Sequence, residues 1–160
     1  MQYKEGNTAD LKQKFWHEMG ESAYVMLQRD ADPDSASPMM VQLDKDAHGA
    51  IWFFAHRSGR YAPGGPATAT FVSQGHTLFA RFHGVLSQET SRERINKQWS
   101  NWVEAWFPGG KDDPDLIMLR MDLGDASIWN AELGMVAMAK MALGMDTRDN
   151  AKGQRTQTSL

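Results

Sequence analysis

Trp106-Phe-Pro-Gly-Gly-Lys-Asp-Asp-Pro-Asp115, running on into Leu116-Ile-Met-Leu-Arg-Met-Asp-Leu123, is where this chain turns from helix to strand. Pro108 has no amide proton to give a helix, and Gly109 and Gly110 accept the backbone angles of a sharp exit. A helix arriving from the N-terminal side therefore stops here. Residues 111–115 form a polar turn, and the apolar run at 116–123 reads as a strand. Upstream, Ile95, Trp99, Trp102 and Trp106 are spaced four, three and four apart, on one face of a helix predicted over 89–107. A covered aromatic side chain buries about 150–250 Å², so Trp99 and Trp102 are expected to pack on the body of the protein or on a second subunit. Trp106, beside the glycines, is left open between packing and stacking on a ligand.

Working outward, 126–130 reads as a short last strand and 133–143 as a helix carrying Met135, Met138 and Met141. Beyond it the tail is nearly devoid of apolar residues, so 146–160 is expected to be disordered and 1–145 to form one domain. Toward the N-terminus, Asn7 or Thr8 caps a helix whose Leu11, Phe15 and Met19 share a stripe, with Gly20 as its stop. The period then changes. Residues 23–27 read as a strand, 29–37 as a polar loop, and 39–43 as a second apolar run. A hairpin-like turn at 44–49 leads to a strand at 50–54, and a loop rich in Gly and Pro fills 56–66. Gln74-Gly75 joins 67–73 to 77–83 as a hairpin. Short strands at this spacing behind one helix predict a barrel or sandwich rather than βαβ units.

The formal charge of -3 over 160 residues does not suggest a general binder of nucleic acid or of anionic membrane. No segment approaches the roughly 20 apolar residues of a membrane span. With no cysteine and a polar start lacking a leader's apolar core, the chain is expected to be cytoplasmic. Thiolate catalysis and zinc–thiolate sites are excluded. His17, His48, His56, His76 and His83 show no paired ligand spacing, and Asp112, Asp113 and Asp115 lack the glycine and distal glutamate of an EF-hand loop. No metal site is expected. Serine-nucleophile elbows and glycine-rich phosphate loops are also absent, and no side chain stands out as an acid or base.

Three segments together resemble a known family: Pro38-Met39 entering a strand, Ile51-Trp-Phe-Phe54 before a basic loop, and Trp106–Asp115 followed by Leu116-Ile-Met-Leu119 and Ala126-Ser-Ile-Trp129. They are similar to the general stress protein branch of the pyridoxamine 5′-phosphate oxidase-like FMN-binding split barrels. The resemblance implies a mainly β fold with α, a six- or seven-stranded Greek-key split β-barrel with flanking helices. It implies a homodimer with FMN at the subunit interface. Met39, Met40, Val41 and Gln42 would lie near the flavin ring. Phe53, Phe54 and Ala55 and the loop after them would reach the ribityl chain and phosphate, and Trp129 would cover the cofactor. Trp106 joins this set by proximity of motif.

Departures from the family's pattern qualify these roles. Ser37 stands where Arg often precedes Pro-Met, and Ala55 where Thr is usual. Gly59, Arg60 and Tyr61 align with a phosphate-binding Ser-Arg-Lys run. The phosphate donors shrink to Arg60, with Arg57 and Ser58 as neighbours. The family's true oxidases carry an Arg-Leu-His-x-Arg grip for the substrate phosphate. Here that stretch is Met135-Val-Ala-Met-Ala139, so oxidation of a phosphopyridoxal compound is not expected. Three readings stay open: an FMN-dependent oxidoreductase acting on an unknown small molecule; a split-barrel homodimer that has weakened or lost FMN and serves as a binding or structural module; and a barrel for another flavin-like or porphyrin ligand.

Overall fold

The computed structural model describes residues 2–132, 135–145 and 152–160. In chain order the elements are β1 (Tyr3–Glu5), α1 (Thr8–Glu21), β2 (Tyr24–Arg29), β3 (Asp32–Met40), β4 (Ala50–His56), β5 (Gly65–Val72) and β6 (Leu78–Glu89). They continue with α2 (Arg92–Gln98), α3 (Asn101–Glu104), β7 (Leu116–Asn130), α4 (Met135–Ala142) and β8 (Gly153–Ser159). The eight strands form one sheet in the order β1-β8-β7-β6-β5-β2-β3, with β4 paired to β7. This is the mainly β split barrel that the sequence resemblance implied, with eight strands where six or seven were expected.

The length of β7 organises the barrel. One of its edges pairs with β6 along nearly its whole course, while the other takes β4 against 116–122 and β8 against 125–130. Between the Phe82–Ala126 and Gly84–Leu123 pairs, β7 carries one residue more than β6, a bulge that spans Gly124. Gly84 is needed there: a Cβ on it would sit 2.5 Å from the carbonyl oxygen of Asp122. At the far edge of the sheet β3 does not pair with β4. A single backbone bridge joins them, Gln42 with Trp52, at 2.7 and 3.1 Å. The barrel closes at that one point and gapes beside it.

Alternation along the strands sends Ala67, Ala69 and Phe71 inward and Thr68, Thr70 and Val72 outward. Asn7 caps α1 by accepting the Asp10 amide, and Leu11, Phe15 and Met19 sink fully into the core. The Phe15 ring meets Trp16, Phe71 and Phe82 edge-on at centroid distances of 5.0–5.8 Å. A second cluster lies outside the barrel wall, where Trp52 and Met118 pack against Ile95 of α2.

Four expectations are corrected. Residues 32–37 are strand, because β2 turns back at once through Asp30-Ala31. The tryptophan-bearing helix is broken: Trp99 adopts an extended conformation, and the Ser100 side chain caps α3 afresh. Trp99, Trp102 and Trp106 therefore share no continuous face. The two strands expected at 116–123 and 126–130 are one, continued through the bulge. Of the tail expected to be disordered, 146–151 lie outside the described residues, whereas Gly153–Ser159 pairs with both β7 and β1.

Candidate functional site

The gap between β3 and β4 opens into a cavity of about 490 Å³. One wall is the C-terminal half of β3 with Pro38, Met39 and Met40, next to Tyr24 of β2; the other is Phe54, Ala55 and His56 at the end of β4. Trp102, Val103, Trp106 and Phe107, in and just after α3, complete the lining. Val103 and Phe107 are buried, whereas Trp102 and Trp106 are 74% and 71% exposed. Two indoles so open to water, four residues apart at the rim of an apolar cleft, are an unusual use of the most costly side chain to leave wet. Their segment is held from below: Trp99 meets Phe54 edge-on at 5.6 Å, and Phe107 lies against the His56 ring at 4.7 Å.

The polar end of the cavity is the turn after β4. Tyr61 is buried and ties this turn to β3: its hydroxyl lies 2.6 Å from Ser37 Oγ, 2.6 Å from the Ser35 carbonyl and 2.8 Å from the Leu27 carbonyl. Arg60 donates Nε and Nη2 to the two carboxylate oxygens of Asp32, at 2.9 and 2.6 Å, and Nη1 to the Asp34 carbonyl at 2.6 Å. Asp115, just before β7, accepts from the Ser58 amide (2.9 Å), the Ser58 hydroxyl (3.1 Å) and His56 Nδ1 (2.8 Å). The Ser58 amide first, and then His56 and the Ser58 hydroxyl, hold its carboxyl below the usual carboxylate range. Arg57 Nε donates to the Pro114 carbonyl at 3.1 Å.

Of the residues singled out by sequence, the cavity gathers Met39, Met40, Gln42, Phe54, Ala55, Arg60 and Trp106. Val41 and Phe53 point the other way, into the barrel core, since their strand neighbours take the cavity side. Arg57 and Ser58 are turned to the stretch before β7. Trp129 lies on the outer face in register with Phe79 and Arg155, outside the cavity lining. Sequence reasoning missed Tyr24, His56, Tyr61, Trp102 and the acids Asp32, Asp34 and Asp115. Tyr24 had a readable signal, because an outward strand position opposite Met40 must share its surface. Nothing local marks Asp32 as the partner of a residue 28 positions away.

The residues present fit a flavin unevenly. Sulfur, indole and phenyl walls suit a planar ring. At the phosphate end the donors already have acceptors, and among the described residues no buried side-chain polar atom lacks a partner.

Comparison with known proteins places this geometry. Residues 10–151 match the family of pyridoxamine 5′-phosphate oxidase-like proteins. The general stress FMN/FAD binding protein of Xanthomonas citri is 36% identical, with a TM-score of 0.73 over 80% of this chain and 94% of that one. General stress protein 26 of Jannaschia sp. CCS1 is 29% identical, with a TM-score of 0.78 over 96% of this chain and 100% of that one. A general stress family protein of Xanthomonas campestris is 34% identical, with a TM-score of 0.68 over 79% and 92%. No curated protein sequence matches. The match across nearly the whole barrel, with these structural relatives, means that the chain belongs to the pyridoxamine 5′-phosphate oxidase-like family, in its general stress protein branch.

Proposed function

We propose that this chain is a homodimeric flavin-binding protein, with FMN the flavin its resemblance implies, and that the cavity between β3 and β4 receives the isoalloxazine ring. The observation that carries the reading is the pair of exposed indoles, Trp102 and Trp106, at the rim of an apolar cleft otherwise walled by Met39, Met40 and Phe54. Ala55 and Gln42 flank the ring's approach, and Arg60 stands at the polar end with Arg57 and Ser58 behind it. Val41 and Phe53 support from the core side. Trp129 reaches the cofactor of a second copy and not that of its own chain.

A bound flavin would supply two-electron redox chemistry on a small molecule, while the protein sets position and excludes water. His56 is the cavity's one imidazole, and Asp115 fixes its orientation. The run Met135-Val-Ala-Met-Ala139 offers no cation for a substrate phosphate, so a phosphopyridoxal substrate is not proposed.

The test is to titrate purified protein with FMN while following tryptophan emission and flavin absorbance. Saturable binding at micromolar FMN, with quenching that Trp106→Ala reduces, is the expected result. No saturable binding, and no yellow protein on purification, would leave the alternative in which the barrel has given up its flavin and acts as a non-catalytic dimer. The engagement of Arg60 by Asp32 and of Arg57 by the Pro114 carbonyl favours that second reading.

A further inference from the structure

The contacts at the polar end of the cavity go one step further, and the step rests on the flavin reading above. A phosphate dianion is held by charge-assisted donors, best of all by the fork of an arginine. Here the fork of Arg60 is already filled, two-pronged, by the Asp32 carboxylate, and its third nitrogen by the Asp34 carbonyl. Arg29 is turned to the carbonyls of Gly64 and Arg60, and Arg57 to that of Pro114. The carboxylates of Asp32, Asp34 and Asp115 match these arginines one for one, so the neighbourhood holds no surplus of positive charge for a dianion.

His56 sharpens the point. A carboxylate can only accept, so the His56 nitrogen 2.8 Å from Asp115, Nδ1, is the one that carries the proton. His56 lines the cavity with that proton committed to Asp115, so its Nδ1 is not left as a donor for a phosphate oxygen. The groups facing this ring are Asp115 at Nδ1, itself held by the Ser58 hydroxyl, and Phe107 across its plane.

We propose that the site recognises a flavin by its ring and ribityl hydroxyls, that its phosphate adds little, and that Asp32 is the residue setting this preference. The ligand class is thus the flavins at large, riboflavin included, rather than FMN alone.

Equilibrium titrations of the purified protein with FMN, riboflavin and lumiflavin, read by tryptophan and flavin fluorescence, test it. FMN and riboflavin should bind within about fivefold of each other, since each tenfold step would require a real phosphate contact. Lumiflavin, lacking the ribityl chain, should bind more weakly than either. Asp32→Asn, which leaves the Arg60 fork without its counter-charge, should tighten FMN by about tenfold and leave riboflavin unchanged. Asp32→Ala serves equally if the Asn variant folds poorly.

A wild-type preference for FMN beyond about fivefold overturns the proposal. So does a variant at Asp32 that moves both flavins alike. Binding of neither flavin sinks the flavin reading itself, and is thereby distinct from an FMN-selective protein, which sinks only this inference.

Discussion

At the scale of single residues, a tightly held carboxylate lies beside the cavity rather than in it. The Asp44 side chain is only 3% exposed, just past the Gln42–Trp52 bridge, and it receives Lys97 Nζ at 2.8 Å and the guanidinium of Arg94. Arg94 also lies 4.2 Å above the Trp52 ring, whose Nε1 donates to Glu89 at 3.2 Å. One carboxylate thus locks α2 onto the barrel wall, and α2 leads into the segment bearing Trp102 and Trp106. Hydrogen bonds from Lys97 first, and then from the Asp46 amide and Arg94, hold the Asp44 carboxyl far below its ordinary value of 3.8. A depressed folded value means stabilisation that is fully present above the unfolded value and is lost as pH falls toward the folded one. Asp44→Asn should therefore lower the melting midpoint by several degrees at neutral pH. The gap to wild type should stay constant down to about pH 5 and close progressively below about pH 4, where the Asp44 carboxyl of the unfolded chain takes up its proton while the folded one still resists. Melts of both proteins from pH 7 to pH 2 measure this; a gap that widens in acid would contradict the sign. None of this was legible in sequence, where Asp44 reads as one more turn residue, because its partners stand 50 and 53 positions away.

At the scale of elements, legibility followed how far each signal depends on distant chain. The first helix carries its own instructions, an Asn7 cap and a Leu11–Phe15–Met19 stripe, and it folds as read except that it runs past the expected Gly20 stop to Glu21. The helix expected over 89–107 hid its break, since a Trp at every third or fourth position masks a cap at Ser100. The strands expected at 116–123 and 126–130 are one, because pairing to β6 through a bulge carries the chain across Gly124-Asp125. The clearest case is β8. Its sequence Gly-Gln-Arg-Thr-Gln-Thr-Ser has no apolar residue, and only Gly153 and Thr156 are buried. It exists because β4 leaves the edge of β7 at 123, so the backbone groups of 125–130 need a partner. Gly153 makes the fit possible: a Cβ there would lie 2.6 Å from the Tyr3 ring and 2.8 Å from the Asn130 carbonyl. Gly153→Ala should cost about 1–3 kcal/mol by overpacking. It should also speed amide exchange along 125–130 while the β5–β6 hairpin keeps its protection. Unchanged exchange at those amides would mean that β8 docks without needing the close approach.

At the scale of the whole molecule, the outer face of the sheet is the remaining surface without an inner reason. Met40 pairs with Tyr24 across β3 and β2, Val72 pairs with Phe79, and Phe79 with Trp129. Tyr24 and Val72 each lie two residues beyond the Met26–Thr70 pair, so one row of large side chains crosses the sheet from the cavity rim to Trp129. Tyr24 is 54% exposed and Val72 45%, and a contiguous apolar row of this kind marks a contact surface. Two copies related by a twofold axis would set the row against itself. The same packing would carry Trp129 of each toward the cavity of the other and cover rims that one chain leaves open. Val72 lies on the row but outside the cavity, which separates assembly from direct contact with the ligand. Val72→Glu should therefore yield a monomer in sedimentation, with a melting midpoint near wild type because the position is half exposed. Its flavin affinity should fall by about tenfold or more, as one wall of the site leaves with the partner. A monomer that keeps full flavin affinity would show that the β3–β4 cavity is complete within one chain, and that Trp129 has no part in it.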